Sequence, residues 1–290
     1  MVKRRALWLL VALAAAWACS GADRNLRLDS DAGGIGGVSG GGAVVGDSST
    51  GGASGVDAGG TAGSEAGGTA GTGGITLGPE HTWKKGDAAM DLGSTTNRFC
   101  FLTAIGGSFT SSSDVGVTSG GGAWKLSGTS SSDVNARARC VSGNAGDGLQ
   151  TSSFFSWASG AASTALGAFP GRACGITGIS GAFATPSDAV RAYVQNSTEW
   201  FLDGNGNVSA SAHCLISSSL TVSPPTTWKE AQGPQKLTSV PNSACLFAHV
   251  GGLLGGSGDS LEIYSQGSDW WIVGGTQNPG IGSGHCASWP

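Results

Sequence analysis

Trp83, Trp157 and Trp228 each lie 17 residues before a cysteine, at Cys100, Cys174 and Cys245, and that spacing opens a pattern repeated along the chain. Leu92, Leu166 and Leu237 stand nine residues after their tryptophan. Gly107, Gly181 and Gly252 stand seven after the cysteine, Phe109, Phe183 and Leu254 two further on, and Asp114, Asp188 and Asp259 14 after it. A W-x-[LV]-x-G block then opens on Trp124, Trp200 and Trp271, and a second cysteine, Cys140, Cys214 or Cys286, follows the first by 40, 40 and 41 residues. Matches at so many fixed offsets define three tandem repeats of about 72 residues. Whatever one repeat folds into must work three times.

The period within a repeat is two. In VNARARC, Val134, Ala136, Ala138 and Cys140 share one face, with Asn135, Arg137 and Arg139 on the other, and VSASAHC at 208–214 repeats the arrangement. RFCFLTAI, AVRAYV, SLEIY and WWIV are short, rich in β-branched or aromatic residues, and bounded by Gly, Ser, Asn or Pro. The expectation is an all-β fold of three disulfide-stapled units, either small barrels or sandwiches or one pseudo-threefold body. The boundaries are read as 76–154, 155–225 and 226–290.

Six of the seven cysteines belong to the repeats, and identical units should make identical bridges, 100/140, 174/214 and 245/286. The alternative is 140/174 and 214/245, with 100/286 closing a ring. Each first cysteine opens a strand and each second closes one about three strands later. In a flat meander those strands would lie roughly 14 Å apart, whereas a disulfide needs Cα atoms within about 7 Å. Each sheet must therefore curl, or the last strand must return beside the first.

The seventh cysteine has another context. MVKRR, a run of apolar residues and Ala16-Trp17-Ala18-Cys19 make a secretory signal over 1–18, too short to be a spanning helix. The last four residues resemble the lipobox of bacterial lipoproteins, which implies lipid on Cys19 and anchorage to a membrane; the alternative is an ordinary cleaved signal with Cys19 a bystander. Ser20, where an aspartate often marks inner-membrane retention in that family, points to the outer membrane or cell surface. Residues 19–75 are largely Gly, Ala, Ser, Thr and Asp with GGTAG twice, and are expected to form a disordered tether spanning roughly 40 Å.

Without Lys3, Arg4 and Arg5 the chain carries 12 basic against 19 acidic residues, with no basic footprint for nucleic acid. Gly258-Asp259-Ser260-Leu261 resembles the nucleophile block of the GDSL esterases and lipases, but no D-x-x-H follows it, and the aligned partners of Ser260 are Val115 and Ala189. Asp114, Asp188 and Asp259 are read as turn residues that bond nearby amides. Asp203, Asn205 and Asn207 resemble the start of a calcium loop without its closing glutamate, and a Gly/Asn hairpin turn is the preferred reading. His213 and His285 precede closing cysteines where the first repeat has Arg139, which suggests an outward polar slot; His81 and His249 form no close pair with them. No cofactor is expected.

Six tryptophans are assigned to the core, while Trp270, alternating with Trp271, is the candidate exposed indole. With Tyr264, Asp269 and Tyr193 it is a candidate ligand contact, suited to stacking on a sugar ring. The expected function is noncatalytic binding or adhesion at the cell surface, towards a glycan or another envelope component. A structural coat protein and a secreted hydrolase are the alternatives, and the sequence does not set the oligomeric state.

Overall fold

The computed structural model describes residues 74–144, 146–239, 242–275 and 280–290, so Cys19, the signal and nearly all of the tether lie outside the described residues. No helix occurs among the described residues. The first repeat forms β1 (Thr76–Leu77), β2 (His81–Lys84), β3 (Met90–Ser94), β4 (Arg98–Gly107), β5 (Asp114–Gly120), β6 (Ala123–Thr129) and β7 (Val134–Ser142). The second forms β8 (Gln150–Thr151), β9 (Phe155–Trp157), β10 (Thr164–Ala168), β11 (Arg172–Gly181), β12 (Ala189–Gln195), β13 (Glu199–Asn205) and β14 (Val208–Ile216). The third forms β15 (Thr221–Val222), β16 (Thr226–Lys229), β17 (Gln235–Ser239), β18 (Ser243–Gly252), β19 (Ser260–Gln266), β20 (Asp269–Gly275) and β21 (Gly280–Ser288).

These strands make three antiparallel sheets of seven, and no sheet belongs to a single repeat. The first sheet joins β1, β2, β4 and β7 to β17, β19 and β20; the second joins β8, β9, β11 and β14 to β3, β5 and β6; the third joins β15, β16, β18 and β21 to β10, β12 and β13. Each repeat thus lends three strands to its neighbour, and the third lends them to the first. The ring closes into one pseudo-threefold body rather than three barrels. Because β8 and β15 pair with β14 and β21, the second and third structural units begin near 150 and 221, a few residues before the boundaries read from the tryptophan spacing.

The exchange settles the disulfides. With the intervening strands in the next sheet, β7 returns directly beside β4, placing Cys100 opposite Cys140, and the other repeats do likewise. The bridges are 100/140, 174/214 and 245/286, with Cα atoms 4.0, 3.9 and 4.0 Å apart.

The repeated motif residues make the core. Trp83, Trp157 and Trp228 are buried and donate their indole N–H to the carbonyls of Asp87, Ala161 and Gln232. Their rings lie over Gly128, Gly204 and Gly274, where an added Cβ would come within 2.7, 2.6 and 2.4 Å of ring carbons. That contact is why the W-x-[LV]-x-G block ends on glycine. It also moves the third block by one residue: Trp270, at 0 % exposure, is the counterpart of Trp124 and Trp200, and Trp271 the counterpart of Lys125 and Phe201. Trp270 is therefore core and not an exposed contact.

Gly107, Gly181 and Gly252 have φ of 100°, 96° and 92° and send the chain inward, so that Phe109, Phe183 and Leu254 meet in the core. Phe109 N–H donates to the Leu254 carbonyl, Leu254 N–H donates to Phe183, and the two phenyl rings stand edge-on at 5.7 Å.

Between repeats the strand ladder is short. β5 pairs with β11, β12 with β18 and β19 with β4 over three residues each, after which the strands splay. An aromatic ring from one repeat then meets a polar side chain of the next. Trp124 contacts His213 at 4.9 Å, Trp200 contacts His285 at 5.0 Å, and the Arg139 guanidinium lies 6.0 Å over Trp270. The slot before the closing cysteine is thus a buried seam in two repeats, with His213 at 1 % and His285 at 2 % exposure, and not the outward position its polarity suggested. Burial pushes the His285 imidazole down to about 4, and lowers His213 against the opposing contact with the Ser152 carbonyl.

Candidate functional site

Sheet register lines up one residue from each of five strands across every seam. In the third sheet the row is Asp203, Arg191, His249, Ser283 and Thr227. In the first it is Val273, Glu262, Ala104, Arg137 and Thr82, and in the second Ser127, Gly116, Gly178, Ser211 and Ser156. The backbone is the same three times; the contents are not.

In the first sheet the row is occupied by its own ion pairs. Arg137 holds Glu80 at 2.8 Å and Glu262 at 2.7 Å, all three side chains being less than a quarter exposed. The second sheet has a floor of glycine and serine at these positions. Gly116 and Gly178 approach so closely that a Cβ on either would collide with the other strand or with Ser211. The depression above them is about 300 Å³, bordered by Phe154, which is 49 % exposed.

In the third sheet Ser283 and Pro225 stand where the first has Arg137 and Glu80, and a groove of about 990 Å³ opens. Arg191, Tyr193, His249 and Ser283 line one part of it, while Phe169, Val194, Val222 and Pro224 supply apolar wall elsewhere. Alternation on β12 puts Arg191 and Tyr193 on the same face. Asp203, opposite on β13, fixes both: Arg191 donates Nε–H to Oδ1 at 2.6 Å and Nη2–H to Oδ2 at 3.3 Å, and Tyr193 donates its hydroxyl to Oδ2 at 2.9 Å. The guanidinium also sits 5.0 Å over the tyrosine ring.

The hydrogen bond to Asp203 raises the Arg191 pKa further, and burial together with Asp203 raises Tyr193. His249 is half-buried; burial lowers its pKa, the Arg191 charge adds to that, and Asp203 opposes it. At neutral pH the groove thus presents a charged guanidinium, a neutral imidazole, an oriented phenol and a serine hydroxyl. Such a set binds a ligand that combines polar oxygens with a flat apolar face.

Of the contacts expected from sequence, Tyr193 alone lies in this groove. Tyr264 occupies the same strand position in the first sheet, where its opposite residue is Trp271, the partly exposed member of the tryptophan pair. Asp269 is held by Lys236 at 2.8 Å in that same sheet. The calcium-loop reading fails on geometry, because Asp203 faces Arg191 and Tyr193 while Asn205 donates its amide to the Ser187 carbonyl. Gly206, at φ 87°, and Asn207 form a corner between two sheets instead of a hairpin within one. Among the described residues no group of three or more His, Cys, Asp and Glu is placed to hold a metal ion.

The turn aspartates behave as expected in two repeats. Asp188 accepts from the amides of Ala184 and Thr185, and Asp259 from those of Gly255 and Gly256. In the first repeat Ser113 does this work, accepting from Thr110 N–H at 3.0 Å, and Asp114 is displaced onto the exposed start of β5. Ser260 is the first residue of β19, opposite Gly106 and Gly275.

Arg191, Ser283 and the role of His249 were not evident from sequence. The local signal was there, since the third residue of the post-turn strand is Gly116, Arg191 or Glu262, a variable site in an otherwise regular repeat. No protein-family model matches the chain, and no curated protein matches it. The functional reading rests on the groove's own chemistry.

Proposed function

We propose that this is an exported, lipid-anchored recognition protein that binds a saccharide, or an envelope component bearing one, noncatalytically in the third-sheet groove. The observation that carries the reading is the divergence of three equivalent seams: one filled by its own ion pairs, one floored with glycine and serine, and one open beside an aromatic ring and oriented polar groups. Tyr193 offers the ring face against which a sugar stacks, and Arg191, His249 and Ser283 offer hydrogen bonds to its oxygens. Anchorage through Cys19 and a 19–75 tether would hold this body away from the membrane while leaving it free to reorient.

A glycan array probed with the purified protein tests the binding. Tyr193→Ala should weaken captured-glycan binding at least about tenfold with an unchanged circular dichroism spectrum. No capture by the wild-type protein across neutral and acidic glycans overturns the reading. Incorporation of a labelled fatty acid that disappears in Cys19→Ser is the expected result for the anchor.

A further inference from the structure

The polar row of the third sheet crosses the boundary between two repeats, and at that boundary Arg191 and His249 stand directly opposite one another. Resting on the saccharide reading of the groove, we propose that this pair is a subsite for a carboxylate carried on the sugar, so that the ligand is an acidic saccharide.

Three features of the pair lead there. Asp203 takes the Nε–H of Arg191 and one contact from Nη2, while the rest of the guanidinium has no acceptor among the described residues and the side chain is 58 % exposed. His249 makes no hydrogen bond among the described residues although it is half-buried. Gly251 leaves room for its ring, since an added Cβ would come within 3.0 Å of Nε2. A guanidinium edge and an imidazole N–H from adjacent strands can together bind the two oxygens of one carboxylate.

The first sheet shows what this row accepts. There the guanidinium of Arg137, on the strand equivalent to that of Ser283, receives two carboxylates, Glu262 from the lent strand and Glu80 from the segment before β2. The third sheet has the cation on the lent strand instead, and the residues replacing Arg137 and Glu80 are Ser283 and Pro225, neither of them charged. Asp203 supplies one carboxylate to Arg191 from the neighbouring strand, and the open groove leaves space for the second. The two-carboxylate arrangement that the first sheet completes with its own side chains would be completed here by the ligand.

The titratable groups around His249 are Arg191 and Tyr193 on β12, Asp203 on β13, and His285 on β21, which lines the same groove. Protonation of His249 adds positive charge beside the bound carboxylate, so affinity should increase as pH falls through the lowered His249 range.

The test uses the purified protein and one series of uronate oligosaccharides, offered as free acids and as their methyl esters, on an array that also carries neutral glycans. The expected result is about tenfold stronger binding of the acids than of the esters. That preference should be lost in Arg191→Met, and the gain in affinity on lowering the pH should be lost in His249→Phe. Equal binding of acid and ester, or capture of neutral glycans alone, overturns the carboxylate subsite and leaves the saccharide groove standing. Capture of nothing overturns both. The acid–ester comparison is made on the wild-type protein, so it decides the matter even if a variant fails to fold.

Discussion

The first and third sheets are built from the same register and differ in what fills the seam. In the first, Arg139 lies over Trp270 and Arg137 closes the surface with Glu80 and Glu262. In the third, His285 lies against Trp200, and Ser283 with Pro225 leaves the surface open beside Arg191 and Tyr193. A closed and an open version of one backbone separate residues kept for the fold from residues free to specialise. The tryptophans, glycines and disulfides recur in all three repeats, whereas the row across the seam does not. Three equivalent binding sites, one per repeat, do not fit these unlike rows.

The strongest way to break the comparison is through the part said to be common. Trp270→Ala and Trp200→Ala each remove a buried indole from a seam, and each should destabilise the protein by about 3–5 kcal/mol in denaturant unfolding without reductant. Equal losses would show that the seams share one framework. A Trp270→Ala variant as stable as wild type would instead mean that Trp270 is not the core counterpart of Trp200.

Acid should then distinguish the seams. The folded-state pKa of His285 is about 4, below the ordinary imidazole value, so between roughly pH 6.5 and 4 the unfolded chain binds a proton that the folded one does not. Stability therefore falls as pH drops through that window, by roughly 3 kcal/mol at its lower end from this one residue. His213 adds to the loss in the second sheet, while the same slot of the first holds Arg139 and no imidazole. The unfolding midpoint of His285→Gln should vary less between pH 7 and 4 than that of wild type. Parallel curves would show that His285 does not carry the acid sensitivity.

What could be read from the sequence was what local spacing encodes. Alternation in VNARARC places Ala136, Ala138 and Cys140 in the core, and the bridge argument required the last strand to curl back or return beside the first; β7 returns beside β4. The seams were harder to see. The three-residue ladders that join one repeat to the next depend on register between distant segments, and Gly116 opposite Gly178 has no local signature. Adjacent tryptophans at 270 and 271, followed by adjacent glycines at 274 and 275, offer two frames for the block, with Ile272 or Val273 at its third place, and the burial of Trp270 and the packing of Trp228 on Gly274 decide for the first. The first repeat reaches its turn residue one position earlier after the cysteine, which made Asp114 look like the partner of Asp188 when Ser113 is. The groove was the least legible part, because its residues come from strands of two repeats.

The smallest expected effect concerns Ser260, the one residue whose setting in the sequence suggested a nucleophile. It opens the lent strand of the first sheet, opposite Gly106, as Ala189 opens the lent strand of the third, opposite Gly251. The second repeat thus already carries alanine at this place in an otherwise matching ladder. Asp259, next to it, has its carboxylate turned to the amides of Gly255 and Gly256, which fits a strand-opening turn. Ser260→Ala should change stability by less than about 0.5 kcal/mol and leave glycan capture as it is in wild type. Hydrolysis of a generic ester by the wild-type protein that vanishes in Ser260→Ala would place chemistry in the first sheet's junction and end the reading of that sheet as the closed member of the pair.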